Sequence, residues 1–92
     1  MVFLSQRNPE DLGYQSMAKQ LEEEVRSIPG FLRLESVRDG AGKGITLSYW
    51  ENLVGIRQWK ENALHRQAKS KAPLWYSQTT LEVYEVRSWN LS

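Results

Sequence analysis

From Tyr14 to Ile28 the apolar residues recur at intervals of three or four: Tyr14, Met17, Leu21, Val25 and Ile28. That spacing predicts a helix with one apolar face, its KQ and EEE stretches turned to water. Asn8 suits its N-cap, Pro9 its first helical position, and Glu10 and Asp11 the positive helix end. Gly13 weakens the first turn, and Pro29-Gly30 ends the helix. From Phe31 the period shortens to two. FLRLESVR (31–38) predicts a strand, Asp39-Gly40-Ala41-Gly42 a turn, and residues 43–50 the returning strand of a hairpin. On that returning strand Ile45, Leu47 and Tyr49 share one side, and Thr46, Ser48 and Trp50 the other. The helical period resumes at Leu53, Ile56 and Trp59 behind an Asn52 cap. A further helical segment is predicted from Ala63 to about Ala72, broken by Pro73. MVFLSQR (1–7) and QTTLEVYEVRSW (78–89) read as the first and last strands.

The order β-α-β-β-α-β describes the ferredoxin-like split βαβ fold, an α+β arrangement with helices on one face of an antiparallel sheet. With 92 residues and no linker, repeat or low-complexity stretch, one domain over 1–92 is expected. So short a chain buries only about 60–65% of its unfolded surface, and without cysteine it has neither disulfides nor thiolate metal sites as braces. Large aromatic side chains are one source of added burial. A partner subunit is another. In the last strand Leu81 and Val83 point one way, and Tyr84 and Val86 the other. Helices can cover one such apolar face and a second copy of the chain the other.

Charge and motifs then narrow the chemistry. A formal net charge of +1, with both signs interspersed, lends no support to a nucleic-acid partner. No stretch approaches the roughly 20 apolar residues of a membrane span, and the opening residues lack the cationic region of a signal peptide, so a cytoplasmic setting is expected. No Gly-rich nucleotide loop, HExxH pair or nucleophile elbow occurs. One histidine and no cysteine leave few transition-metal ligands, and neither metal nor organic cofactor is expected. Glu22 to Glu24 read as a solvated helix face, and Arg7, Arg33 and Arg38 as strand-end charges.

What remains is a set of aromatic residues around His65, the one side chain here able to move a proton near neutral pH. Trp59 falls on the inward stripe of its helix. If residues 53–66 formed one straight helix, the six-residue step from Trp59 to His65 would turn the two side chains about 120° apart. They share one space only if the helix bends near Asn62 to Leu64. Tyr49 should follow Ile45 and Leu47; if that face meets the helices, its buried hydroxyl needs a partner such as His65, Asn62, water or substrate. Trp50, pointing oppositely, reads as an interface residue. Trp75 and Tyr76 read as packing, with a pocket rim as the second choice.

The run PGFLRLESVRDGAGKGITLSYW, the Trp59-Lys60 pair, His65 and Trp75-Tyr76 together resemble the antibiotic biosynthesis monooxygenase domain family over nearly the whole chain. The resemblance implies a homodimeric α/β-barrel, in which two four-stranded sheets meet with helices outside and a cavity lies between helices and sheet. It also implies a cofactor-independent monooxygenase acting on a small aromatic or phenolic substrate. On that reading Trp59, Tyr49 and Asn62 position substrate oxygens and His65 shuttles the proton; Tyr14, Tyr76 and Gln6 complete the lining. The alternatives are a non-catalytic binder of small molecules and a haem-binding or haem-degrading protein. Haem-degrading relatives carry an asparagine where Gln6 stands and a haem-ligating histidine where Lys69 stands, one turn past His65. Polyketide-oxygenating relatives carry an asparagine one turn before the helix tryptophan, at Gly55 here; Asn62 lies one turn after it.

Overall fold

The computed structural model describes residues 1–86. Its elements are β1 (Val2–Arg7), α1 (Tyr14–Val25), β2 (Phe31–Arg38), β3 (Lys43–Trp50), α2 (Leu53–Glu61), α3 (Ala63–Trp75) and β4 (Tyr76–Glu82). The strands form one antiparallel sheet in the order β2-β3-β1-β4, so β3 lies between β1 and β2 as the split βαβ topology requires. The last strand begins two residues earlier than the period predicts and stops at Glu82. Residues 87–89 of the expected strand lie outside the described residues.

Three local departures from the sequence reading position the site. The first is the start of α1. Its expected cap, Asn8, instead closes the far end of α3: its backbone N–H donates to Trp75 O at 2.7 Å and its amide to Leu74 O at 3.1 Å. The chain turns through Leu12 (φ 49°) and Gly13 (φ 86°) before α1 begins, and the Asp11 carboxylate accepts from Gly13 N and Gln15 N.

The second is Pro73, which sits inside α3 rather than ending it. It lies in the last turn, and the carbonyls left there gain partners from elsewhere: Trp75 O accepts from Asn8 N and from the Arg7 guanidinium. A cation at a helix C-terminus is also favoured by the helix dipole. The helix is carried on to Trp75, which is 4% exposed and whose indole N–H donates to Leu12 O at 3.0 Å.

The third is which sheet face the helices cover. Register pairs Phe3 with Thr46 and Leu81, and Leu34 with Ser48. Those residues face the helices, whereas Ile45, Leu47 and Tyr49 lie on the opposite face. Trp50 is accordingly on the helix side. Its ring meets Phe31 edge-on at 5.3 Å, its N–H donates to the buried Ser48 hydroxyl at 2.9 Å, and it lies so close to Gly55 that a Cβ there would come within 2.8 Å of the ring.

Met17, Ala68 and Trp75 form the packed core, with Tyr14, Leu21, Leu64 and Tyr76 against it. Among the described residues no side chain is sealed completely from solvent. The space between helices and sheet is instead occupied by a cavity.

Candidate functional site

The cavity has a volume of about 460 Å³, within the roughly 300–1,000 Å³ of small-molecule sites. Its floor is the sheet, where Ser36, Thr46, Ser48 and Thr79 supply hydroxyls between Phe3 and Leu34. Its walls come from α1 (Tyr14, Met17, Leu21), α2 (Trp59) and α3 (His65, Lys69, Trp75). Small hydroxyl side chains suit such a floor because they leave space that aliphatic side chains would fill.

One end is built at the break between α2 and α3. Asn62 is extended (φ −60°, ψ 132°), and its side-chain oxygen accepts from His65 N at 3.1 Å. An asparagine cap here starts a new helix axis after Trp59. The amide of Asn62 donates in turn to Glu24 Oε1 at 3.1 Å, tying the break to α1. Glu24 is therefore part of this end rather than of a purely solvated face. The change of axis brings His65 back over Trp59: the rings stack with centroids 4.5 Å apart and 10° between planes. The bend that the sequence reading required is present, and both side chains line the cavity.

His65 Nδ1 lies 2.9 Å from Trp59 O. A carbonyl oxygen only accepts, so Nδ1 carries the proton, and the neutral ring keeps its lone pair on Nε2. Burial pushes the His65 pKa below its ordinary 6.5; the bond to Trp59 O works against this, and the charges of Lys69 and Lys60 add to the lowering. The imidazole is thus neutral at pH 7. Neither Nε2 nor the indole N–H of Trp59 has a partner among the described residues, and no polar side-chain atom there is both sealed and unpartnered. Both atoms are open to a ligand, one as acceptor and one as donor.

The other end is aromatic and cationic. Tyr14 meets Trp75 and Tyr76 edge-on, at 6.0 Å and 5.7 Å between centroids, and Phe3 meets Tyr76 at 5.6 Å. The Arg7 guanidinium sits 3.8 Å above the Tyr14 ring. Arg38 Nη2 donates to the buried Ser5 hydroxyl at 2.9 Å and lies 3.5 Å from the Tyr14 oxygen. Gly44 leaves room for this guanidinium, since a Cβ there would come within 2.6 Å of Arg38 Nη1 and displace it. Burial, with the adjoining Tyr14 hydroxyl, raises the Tyr76 pKa far above the usual tyrosine range, so its phenol stays protonated.

The expected site residues therefore separate. Trp59, His65, Tyr14 and Tyr76 line the cavity, and Trp75 joins them. Asn62 is absent from the wall; it shapes the wall by capping α3. Tyr49 lies on the opposite sheet face, where the Arg33 guanidinium covers its ring at 4.2 Å. Gln6 clamps the β2–β3 hairpin by donating to Ala41 O at 2.8 Å, and it too stays out of the wall. Gly55 is closed to any side chain, because a Cβ would come within 2.7 Å of Pro29 O.

Lys69, at the apparent haem-ligand place, does line the cavity. A protonated amine is no iron ligand, whereas the open Nε2 of His65 is of the right type. No group of three or more His, Cys, Asp or Glu side chains suited to a metal ion occurs among the described residues. No helix there is long and apolar enough to cross a membrane. Sequence reasoning missed Arg7, Arg38 and the hydroxyl floor. The alternation of Thr46 and Ser48 was visible, but the face it belonged to was not.

This geometry has counterparts among known proteins. Residues 13–71 match the family model described as antibiotic biosynthesis monooxygenase. The chain is 36% identical over 87 residues to the uncharacterized protein YqjZ of Bacillus subtilis, covering 94% of this chain and 76% of that one. Among solved structures, a conserved protein from Methanosarcina mazei Go1 superposes with a TM-score of 0.83 at 16% identity, over 94% of this chain and 89% of that one. SnoaB, a cofactor-independent oxygenase from Streptomyces nogalater, superposes with a TM-score of 0.81 at 11% identity, over 99% and 94%. At such identities the two structures speak to the fold alone. The family match and the Bacillus relative carry the assignment, and the chain belongs to the antibiotic biosynthesis monooxygenase family.

Proposed function

We propose that the chain is a cofactor-independent monooxygenase that acts on a small aromatic or phenolic substrate in the cavity between helices and sheet. The observation that carries this reading is the neutral His65, stacked on Trp59 in the wall of a largely apolar cavity, with its Nε2 unpartnered among the described residues. Nε2 accepts the proton of an activated C–H or phenolic O–H, and the Trp59 N–H donates to a substrate oxygen. The resulting electron-rich anion gives an electron to O2, and recombination forms a carbon–oxygen bond. For a substrate methylene the balance is closed: one oxygen atom of O2 becomes the carbonyl oxygen, and the other leaves as water with the two hydrogens. The aromatic walls exclude water from the anion while it reacts. That a structural relative is a cofactor-independent oxygenase agrees with this chemistry.

Oxygen uptake with an anthrone or a dihydroxynaphthalene tests the reading. Consumption above the buffer rate is expected, falling in His65→Ala. No consumption by the wild type with any of these compounds, together with binding of the same compounds, makes the protein a binder instead. The haem alternative has one observation in its favour, the open imidazole on the cavity wall. A shifted Soret band on adding haem, lost in His65→Ala, would put that reading in place of the oxygenase.

A homodimer in the cytoplasm belongs to the same proposal. The face away from the helices carries Leu4, Val37 and Ile45, which are 40%, 69% and 38% exposed. A second copy packed on this face would complete a barrel of two sheets and cover these side chains. Sedimentation should give twice the chain mass, reverting to the monomer mass in Val37→Glu with Ile45→Glu. A monomeric wild type at micromolar concentration would remove the dimer.

A further inference from the structure

We propose that Tyr14 and Tyr76, backed by Arg7 and Arg38, form an anion-seating end of the cavity, which takes the carboxylate or enolate-type oxygen of a ligand whose body is apolar and aromatic. This rests on the cavity being a ligand site, and it adds the class of group the ligand must carry.

The argument begins with unbalanced charge. The ion pairs among the described residues are Arg26 with Glu22 and Arg33 with Glu35. Arg7 and Arg38 are half-buried and have neutral partners there: Arg7 donates to the carbonyls of Trp75 and Glu10, and Arg38 to Gly42 O and the Ser5 hydroxyl. Two guanidinium charges thus stand at one end of the cavity without a carboxylate to answer them. Each has been placed at a cost in solvation that a bound anion would offset.

Their field reaches the cavity through the two tyrosines. Arg7 lies 3.8 Å from the Tyr14 ring centroid, and Arg38 lies 6.0 Å and 5.9 Å from the Tyr14 and Tyr76 centroids. Arg38 Nη2 faces the Tyr14 oxygen from behind. That oxygen is met by a donor, so its own proton is available to an acceptor on the cavity side. An anion accepting from it at about 2.7 Å would lie roughly 6 Å from the guanidinium, inside the ~8 Å screening length of physiological salt. Tyr76 meets Tyr14 edge-on and its protonated phenol adjoins the Tyr14 hydroxyl, so the two hydroxyls act as one donor pair.

The placement also sets the ligand's orientation. His65 and Trp75 are separated by nearly three turns of α3, roughly 15 Å. The proton acceptor and the anion seat therefore occupy opposite ends, and an elongated ligand spans them with its acidic oxygen at the tyrosines and its reactive hydrogen at Nε2. The cations on the wall itself are the Met1 ammonium, which is held by Ser48 O at 2.8 Å, and Lys69. Lys69 is exposed to solvent and hydrated, so it competes poorly for an anion buried among rings.

The experiment is anaerobic calorimetric titration with naphthalene-2-carboxylate and its neutral isostere, naphthalene-2-carboxamide, so that turnover does not enter. The acid should bind at least about tenfold more tightly, the worth of one hydrogen bond to a charged group. Tyr14→Phe with Tyr76→Phe should remove that advantage, weakening the acid far more than the amide. Arg38→Gln should reduce it, and Lys69→Gln should preserve it. Equal binding of acid and amide overturns the proposal, as does an advantage that survives the tyrosine pair or disappears with Lys69, and as does the failure of both compounds to bind. Preference for the acid without oxygen consumption in the uptake assay would keep the anion seat and remove only the oxygenase.

Discussion

The two ends of the cavity are held in opposite ways. At the Tyr14 end, four aromatic rings brace one another edge-on, and Trp75 is anchored by its indole to Leu12 and by its carbonyl to Asn8 and Arg7. At the His65 end, a single imidazole is positioned by one stack, one bond to a carbonyl and an asparagine cap. Packing makes the first end rigid and donor-rich. A helix break makes the second end a point where one acceptor atom is exposed. Proton transfer needs such an open atom, and seating a ligand needs the rigid wall.

The largest expected effect tests the rigid end. Trp75→Ala removes a ring buried against Tyr14 and the core, and should cost about 3–5 kcal/mol. Urea unfolding followed by circular dichroism checks this; a loss below about 1 kcal/mol would show that the ring cluster does not brace the fold. Next comes the open end. His65→Ala should lower oxygen uptake by about 100-fold or more, the contribution of a positioned general base, while the urea midpoint moves little. A large midpoint shift with proportionate activity loss would make His65 structural.

A smaller effect separates shaping from chemistry. Asn62→Ala deletes the cap of α3 and the bond to Glu24, and should cost about 1 kcal/mol. Asn62→Asp, which keeps an oxygen acceptor for His65 N, should restore the cap but set a carboxylate beside Glu24. If Asn62→Ala leaves stability intact and abolishes activity alone, Asn62 acts on substrate after all.

The smallest effect is on pH dependence. The folded pKa of His65 is lowered, so between it and 6.5 the unfolded chain binds more protons than the folded one. His65 therefore adds stability above pH 6.5 that is lost as pH falls through the folded value. His65→Gln should flatten the stability profile in that window, with no change above it. Oxygen uptake should keep its base-limb midpoint below 6.5; a midpoint above it would mean the imidazole is held charged.

Much of the fold could be read from periodicity, because three- and four-residue spacing and strict alternation are direct consequences of helix and strand geometry. The candidate site could be read in part. Trp59, His65, Tyr14 and Tyr76 stood out as residue types that carry chemistry, and the bend at Asn62 could be named as the condition for Trp59 and His65 to meet. The start of α1 and the passage of α3 through Pro73 could not be read, because both depend on Asn8 and Arg7 reaching carbonyls nearly seventy residues away. Nor could the pairing of Arg38 with Tyr14 and Ser5, which joins three elements distant along the chain.

The sequence by itself determined the element order, the hairpin and the two-sided character of β3. Only the tertiary structure decided which side of β3 meets the helices. Alternation defines two faces without ranking them, and a one-residue change of face exchanges every side chain between them. Aliphatic content pointed to Ile45, Leu47 and Tyr49 as the inner face. Register with Phe3 and Leu34 and the close fit of Trp50 on Gly55 set Thr46 and Ser48 inward instead. The physical reason is that a cavity needs a floor of short side chains, whereas a continuous aliphatic surface would have filled it.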